Sequence, residues 1–350
     1  MENTVDFEIV AAKQQDQEDW NSYVKQHPLA TPYHNFAWVR SVEVAYGHEN
    51  VSLIARQADK VVGVAPTSLM RIPFKSPLLC SLPFCDVGYI LADNDEIKQH
   101  LVMRLNRLAD GGGRSEYRDS QQQVSDMELP GQKVRMLLSL PDSSETLMNG
   151  FKSKLRSQIR KAEKNGLQVK LGCNQQLLND FYRVFIYNMR KLGSPVHSKE
   201  WYQQLFAHYQ QNMLISVVYT EDKPIGGGIV LLNGSKACIP WASTLAEYNK
   251  LAPNMLLYWS FLEYLSDHGF TQFDFGRSTF GEGTFRFKQQ WGAEPVALVW
   301  GNTSDYSNTD GLDNAGKSGK LLELVTTLWS NLPIGLTTWI GPKIRRYISL

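Results

Sequence analysis

Apolar residues along the chain switch between two spacings, and the switch predicts a mixed α/β protein. In the first half Gln17–Gln26 is amphipathic, and Phe36, Val39 and Val42 keep a helical period to Tyr46. Val51–Ala55 and Val61–Ala65 read as strands, with Asp59-Lys60 in a plausible hairpin turn between them. Ile97, Leu101, Leu105 and Leu108 share one helix face; Asp93 or Asn94 would cap that helix and Gly111-Gly112-Gly113 would stop it. Val134–Leu140 closes the half as a strand.

The second half repeats the order. Ser143 or Ser144 caps a predicted helix running to Asn165-Gly166, and Leu167–Leu171 follows as a strand. Gln176–Leu192 and Lys199–Gln211 read as helices, with Phe181, Tyr182, Phe185 and Tyr187 at core spacing. Leu214–Tyr219, Ile225–Leu232 and Lys236–Trp241 are strands, and Asn233-Gly234 supplies a hairpin turn. Pro253 suits the first turn of the helix carrying Leu256, Leu257, Phe261 and Leu265. Phe273-Asp274-Phe275 and Val296–Trp300 are the last strand candidates. The expected boundaries are a first domain over 1–140, a second over 141–300, a flexible linker over 301–320 and an apolar segment over 321–350. That segment ends in Lys343, Arg345 and Arg346; it suits either an anionic bilayer surface or packing back on the first domain.

Composition narrows the options. A chain of 350 residues, 43% hydrophobic and 20% charged, can bury two cores, which excludes wholesale disorder. With 36 Lys+Arg against 35 Asp+Glu, the net charge of +1 argues against a nucleic-acid coat protein. The four cysteines are too few for a disulfide scaffold, and no pair has zinc spacing. No metal is expected. Met1–Val10 holds three acids and no apolar run, so it does not read as a signal peptide. No stretch is long and apolar enough to span a membrane, and a cytoplasmic protein is expected.

Two segments carry candidate chemistry. Over Phe151–Lys164, six bases stand against one acid, and Lys152, Arg156, Arg160 and Lys164 are four residues apart. Like charges at that spacing repel, so either solvent or a bound polyanion must offset them. Gly276–Gly283 is a glycine-rich turn after a strand, crowded by Arg277, Glu282, Arg286 and Lys288. It fits neither a P-loop nor a dinucleotide fingerprint, but the carboxyl end of a strand is where α/β folds place ligands. There is no nucleophile elbow and no His-Glu-x-x-His.

These residues resemble the Fem family. Phe151–Arg156 and Arg160–Leu167 are similar to its basic helix followed by Ala-Glu-Lys-x-Gly. Asp274-Phe275-Gly276, Gly283 and Phe287-Lys288-Gln289-Gln290-Trp291-Gly292 resemble its closing Phe-Lys-x-x-Phe/Trp-Gly segment. More narrowly, Trp329–Pro333 and Gly341–Arg345 look like pieces of the FemAB-related proteins of exopolysaccharide and exosortase systems. The resemblance covers about 146–300 well and 1–140 less closely.

It implies two tandem GNAT-like (N-acetyltransferase) domains in an α/β mixed-sheet fold. It also implies transfer of an activated acyl or aminoacyl group to an amine on a cell-envelope or exopolysaccharide precursor. The donor would be acyl-CoA or aminoacyl-tRNA as co-substrate, and the acceptor a nucleotide-sugar or lipid-linked saccharide. Lys288 matches the lysine that stabilises the tetrahedral oxyanion, with Phe287 shaping the pocket. Asp274, Glu282 and Asp93 are alternatives for the proton acceptor. Arg190 matches an acceptor contact and Arg40 a phosphate contact in the first domain; Arg156, Arg160, Lys152 and Arg277 are further substrate-binding candidates. Two family features are missing: a long helical hairpin arm, since Gly166 leads straight into a strand, and the CoA-binding Arg/Gln-x-x-Gly-x-Gly/Ala loop, in whose place stands Tyr248–Asn254. An acetyltransferase acting on a small amine and a non-catalytic scaffold of polysaccharide assembly are the rival readings.

Overall fold

The computed structural model describes residues 6–109, 113–120, 131–301 and 319–350. The expected linker over 301–320 falls outside them except at its ends, as do Gly111, Gly112 and the first five residues. The chain forms two units: 1–121 with 298–314 and 347–350, and 122–297 with 315–346.

The first unit contains β1 (Glu8–Ala11), α1 (Gln17–Gln26), α2 (Phe36–Tyr46), β2 (Glu49–Asn50), β3 (Leu53–Gln57), β4 (Lys60–Ala65), β5 (Ser68–Met70), β6 (Leu78–Cys80), β7 (Leu91–Ala92), α3 (Asp95–Ala109) and β8 (Arg114–Ser120). One sheet has the order β1-β3-β4-β7. The β3–β4 hairpin turns on Ala58 and Asp59, both at positive φ, and β3 starts at Leu53 rather than Val51. Strands β2, β5, β6 and β8 follow one another in a second sheet, where β6 and β8 run parallel. Asn94 caps α3 by accepting from the Ile97 N–H at 3.0 Å. Ile97, Leu101 and Leu105 are buried as the period predicts, and Leu108 is exposed.

The second unit contains β9 (Lys133–Ser139), α4 (Ser144–Gly150), α5 (Ser153–Lys164), β10 (Leu167–Gly172), α6 (Gln175–Lys191), α7 (Lys199–Tyr209), β11 (Met213–Thr220), β12 (Lys223–Asn233), β13 (Lys236–Thr244), α8 (Pro253–Asp267), β14 (Gln272–Thr279), α9 (Gly283–Gln289), the start of β15 (Glu294–Gly301), α10 (Gly319–Asn331) and α11 (Ile334–Arg345). Its sheet runs β10-β11-β12-β13-β14-β9, then residues 294–297 of β15. Gly227 and Gly228 show how the sheet is sandwiched. A Cβ on Gly227 would lie 3.3 Å from Phe181 Cα in α6, and one on Gly228 would lie 3.1 Å from Phe261 in α8. Successive strand residues face opposite sides, so α6 and α8 cover opposite faces of β12, each approaching the bare backbone.

Three expectations change here. The helix predicted from Ser143 to Asn165 is two helices, because Lys152 is extended (φ −58°, ψ 146°) and forms the N-cap position of α5. Tyr187 is exposed, although Phe181, Tyr182 and Phe185 are core. The C-terminal helices α10 and α11 pack on α6 in the second unit; only 347–350 join the first.

Candidate active site

Strands β13 and β14 are the one parallel pair among the described strands of the second unit's sheet. They pair over only three residues, Lys236↔Gln272 to Cys238↔Asp274. Beyond that point β13 continues to Thr244 without β14, and the sheet splays. A cavity of about 350 Å³ opens there. Ala242, Ser243 and Thr244 of β13 form one wall. Asn254, Leu257 and Tyr258, one turn apart, come from α8, and Gly283, Thr284, Phe287 and Lys288 from α9. Ser243 Oγ accepts from Asn188 Nδ2 of α6 at 3.0 Å. Asn254 Oδ1 is buried with no partner among the described residues. It sits in the first turn of α8, where no side chain caps the helix and Pro253 takes the first position. The helix dipole gives that end a partial positive charge.

A bulge positions Lys288. The β14–β9 register shifts between Asp274 and Arg277. Gly276 holds the kink at φ +72°, a conformation that strains other residues. Its N–H donates to Asp274 Oδ1 at 2.8 Å. Asp274 Oδ2 accepts from Arg135 Nη2 at 2.7 Å and Nε at 3.1 Å, and both partners are buried. The bulge presents two carbonyls to the lysine: Lys288 Nζ donates to Gly276 O at 3.0 Å and Arg277 O at 2.7 Å. A buried ammonium needs such partners, because desolvation otherwise neutralises it. Lys288 is 8% exposed, on the cavity wall. Beside it, Phe287 meets Tyr258 edge-on at 5.2 Å, and Tyr258 stacks on Phe275 at 5.4 Å. Burial pushes the Tyr258 phenol well up from its usual value, so it keeps its proton at neutral pH.

The other sequence candidates lie elsewhere. Asp274 does not line the cavity; its carboxylate is occupied by Arg135 and Gly276. Glu282 is exposed, at the N-cap position of α9 next to Gly283. The Arg277 side chain is exposed. Arg190 is outside this cavity, and its Nη1 donates to the Leu332 carbonyl at 3.0 Å. Arg156 Nη1 donates to Phe151 O at 2.7 Å and Asn149 O at 3.2 Å, so it satisfies carbonyls at the helix break between α4 and α5. Lys152 stands at that break, beside a separate cleft with Phe151 and Trp291. Arg156, Arg160, Lys161 and Lys164 line a groove of about 470 Å³ along α5, with no carboxylate among its described lining residues. Asn165 Nδ2 ties the end of α5 to Leu251 O at 2.9 Å, just before α8. In the first unit Arg40 pairs with Glu43 at 2.6 Å, and Asp93 accepts from Tyr23 Oη at 3.0 Å. Sequence reading missed Tyr258, which falls among apolar α8 residues and reads as core.

Residues 149–289 match the family described as Acetyltransferase (GNAT) domain. The second unit carries an acyltransferase domain, and all the residues lining the splay cavity lie inside the match. No curated protein matches the sequence. Among solved structures the chain is similar to FemX: 14% identity, 83% of this chain and 95% of that one covered, TM-score 0.65. It is similar to a conserved protein of unknown function from Bacteroides thetaiotaomicron, at 8% identity, 84% and 98% coverage and TM-score 0.55. It is also similar to the C-terminal domain of a putative lysylphosphatidylglycerol synthetase from Agrobacterium fabrum, at 14% identity, 81% and 90% coverage and TM-score 0.52. These likenesses are of fold: an α/β chain of two units, the second of which carries the GNAT domain match.

Proposed function

We propose that this acyltransferase moves an activated acyl or aminoacyl group onto an amine of a cell-envelope or exopolysaccharide precursor, within the splay cavity of the second unit. The observation that carries the reading is the Lys288 ammonium, held by two backbone carbonyls on the wall of that cavity. The donor is acyl-CoA or aminoacyl-tRNA, and the acceptor a nucleotide-sugar or lipid-linked saccharide. A lipid-linked acceptor would bring the cytoplasmic enzyme to the inner face of the membrane.

The chemistry follows from the groups present. A neutral amine attacks the ester or thioester carbonyl, forming the new C–N bond and a tetrahedral oxyanion. Lys288 is a fixed positive charge beside that oxyanion, and removing such a donor typically costs about 2.7–4 kcal/mol of barrier. Collapse breaks the C–O or C–S bond. The departing oxygen or sulfur takes up the proton that the amine releases, and Tyr258 in the cavity wall, kept protonated by burial, serves as a hydrogen-bond donor to it. Among the described residues no carboxylate lines the cavity, and the hydroxyls of Ser243 and Thr284 with water offer the amine's proton a way out. Asp274 works through position: with Arg135 it fixes the bulge that holds Lys288. The uncapped start of α8 and the basic groove beside α5 suit a donor that carries phosphates.

The match to an acetyltransferase domain favours a second reading, acetyl transfer from acetyl-CoA to a small amine. Thermal-shift titration separates the two. Stabilisation by UDP-amino sugars or lipid diphosphates supports the envelope reading. Stabilisation by acetyl-CoA alone supports the small-amine reading. A fold that responds to none of them points to the scaffold.

A further inference from the structure

We propose that Ser243 selects the acceptor: steered by Asn188, its hydroxyl donates to an oxygen beside the attacking amine. This role rests on the transferase reading and narrows its acceptor class. Residues 242–244 of β13 all line the splay cavity. Side chains alternate along a strand, so the cavity reaches both faces of the sheet. The β12–β13 register assigns each residue to a face. Ser243 pairs with Gly227, on which a Cβ would lie 3.3 Å from Phe181 Cα of α6. Ala242 pairs with Gly228, on which a Cβ would meet Phe261 of α8. Ser243 therefore belongs to the α6 face, and its bond from Asn188 of α6 agrees. The features that suit phosphates belong to the α8 face. Pro253, at the start of α8, lies 3.6 Å from a Cβ built on Gly226, two residues from Gly228, and α5 with its basic groove packs on α8. A donor that carries phosphates occupies that face and leaves the α6 face to the amine.

The bonding of the hydroxyl sets what it can recognise. A serine hydroxyl has one proton and two lone pairs. Asn188 Nδ2 donates to Ser243 Oγ at 3.0 Å, which fills one lone pair. Ser243 is 4% exposed, and among the described residues its proton has no acceptor. A donor so placed must be satisfied by what the cavity holds, because a buried unpaired donor is costly. The attacking nitrogen is the wrong partner, since its lone pair goes to the carbonyl carbon. An oxygen beside that nitrogen is the right one: a hydroxyl, ether or carbonyl oxygen, as amino sugars and amino alcohols carry and simple alkylamines lack. Thr284, the other hydroxyl in the wall, is exposed, and no described side chain orients it. Ser243 then holds the acceptor, while Thr284 and water serve the amine's proton. Asn188 is a positioning residue, fixing the direction of the Ser243 proton.

The test compares glucosamine with cyclohexylamine, ring amines with and without oxygens beside the nitrogen, using whichever of acetyl-CoA and aminoacyl-tRNA the wild type accepts as donor. The preference is the ratio of the two kcat/KM values, and comparing it between variants cancels the different basicities of the amines. Wild type should favour glucosamine about a hundredfold or more. Ser243→Ala should cut the preference about tenfold, through glucosamine alone, with an unchanged circular-dichroism spectrum. Ser243→Thr should keep it. Asn188→Asp should lose it although the serine stays, because a carboxylate accepts the Ser243 proton and turns it from the cavity. An unchanged preference in Ser243→Ala overturns the proposal. So does an equal fall for both amines, which would put Ser243 on the carbonyl oxygen common to both reactions. A wild type that acylates the two amines alike overturns it and leaves the transferase reading standing; one that acylates no amine sinks both.

Discussion

Each unit buries a cation against backbone carbonyls, and the two cations sit in different surroundings. In the first unit Arg118 has no exposed surface. Its Nη1 donates to Leu82 O at 2.9 Å and Cys85 O at 2.5 Å, its Nε to Glu116 Oε1 at 3.0 Å, and its backbone carbonyl accepts from the Gly88 N–H. The neighbouring Cys80 thiol shows how dry the place is. Burial pushes it up to about 12, although the guanidinium acts to lower it. A cation that activated a thiol would give the opposite result. A cavity near Glu116 measures about 10 Å³, room for about one water. In the second unit Lys288 uses the same kind of partners, but next to 350 Å³ of open cavity. Sealed, the cation fixes a loop; beside space, it can face a reacting group.

That contrast can be broken or sharpened by substitution. The largest effect is expected for Arg118→Met, which leaves Glu116 Oε1 and two buried carbonyls without the donor Arg118 supplies. A loss of about 3–5 kcal/mol is expected, read as a fall in the denaturant midpoint. Asp274→Asn comes next. It leaves Arg135 buried with a neutral partner and loosens the bulge under Lys288, so stability and turnover should both fall. Stability unchanged within about 0.5 kcal/mol would show the pair to be dispensable.

The smallest effect concerns pH. His197 is fully buried against Trp201, and burial, then the nearby Arg345 cation, holds its imidazole well below the usual value. The folded state keeps it neutral while the unfolded chain takes up a proton below about pH 6.5. Stability from this site is therefore complete above pH 6.5 and is lost as pH falls toward the folded value. Melting temperature should drop from pH 7 to pH 5.5, with a shallower slope in His197→Phe. Identical slopes would remove His197 from the account.

Much of the fold was legible because apolar period and turn residues are local signals. Asn94 caps α3, Asn233-Gly234 joins β12 to β13, and Pro253 opens α8, all as read. The site was less legible, for a physical reason. The cavity exists because β13 and β14 pair over three residues and then part, which is a property of register and not of either strand's composition. Lys288 was reached through a family resemblance, whereas Tyr258 hid among core residues of α8. Arg156 and Arg190 were read as ligand-binding cations, but both donate to carbonyls at the ends of helices. A sequence shows a charge without showing which orphaned carbonyl lies beside it.

The central claim is that Lys288 stabilises charge developing in the splay cavity. Its most direct test is N-acyl product formation, followed by mass spectrometry, for wild type and Lys288→Met, with acetyl-CoA and aminoacyl-tRNA as donors and amino sugar nucleotides as acceptors. Turnover in the variant should fall about a hundredfold or more with an unchanged circular-dichroism spectrum. Equal turnover in a folded variant would contradict the account.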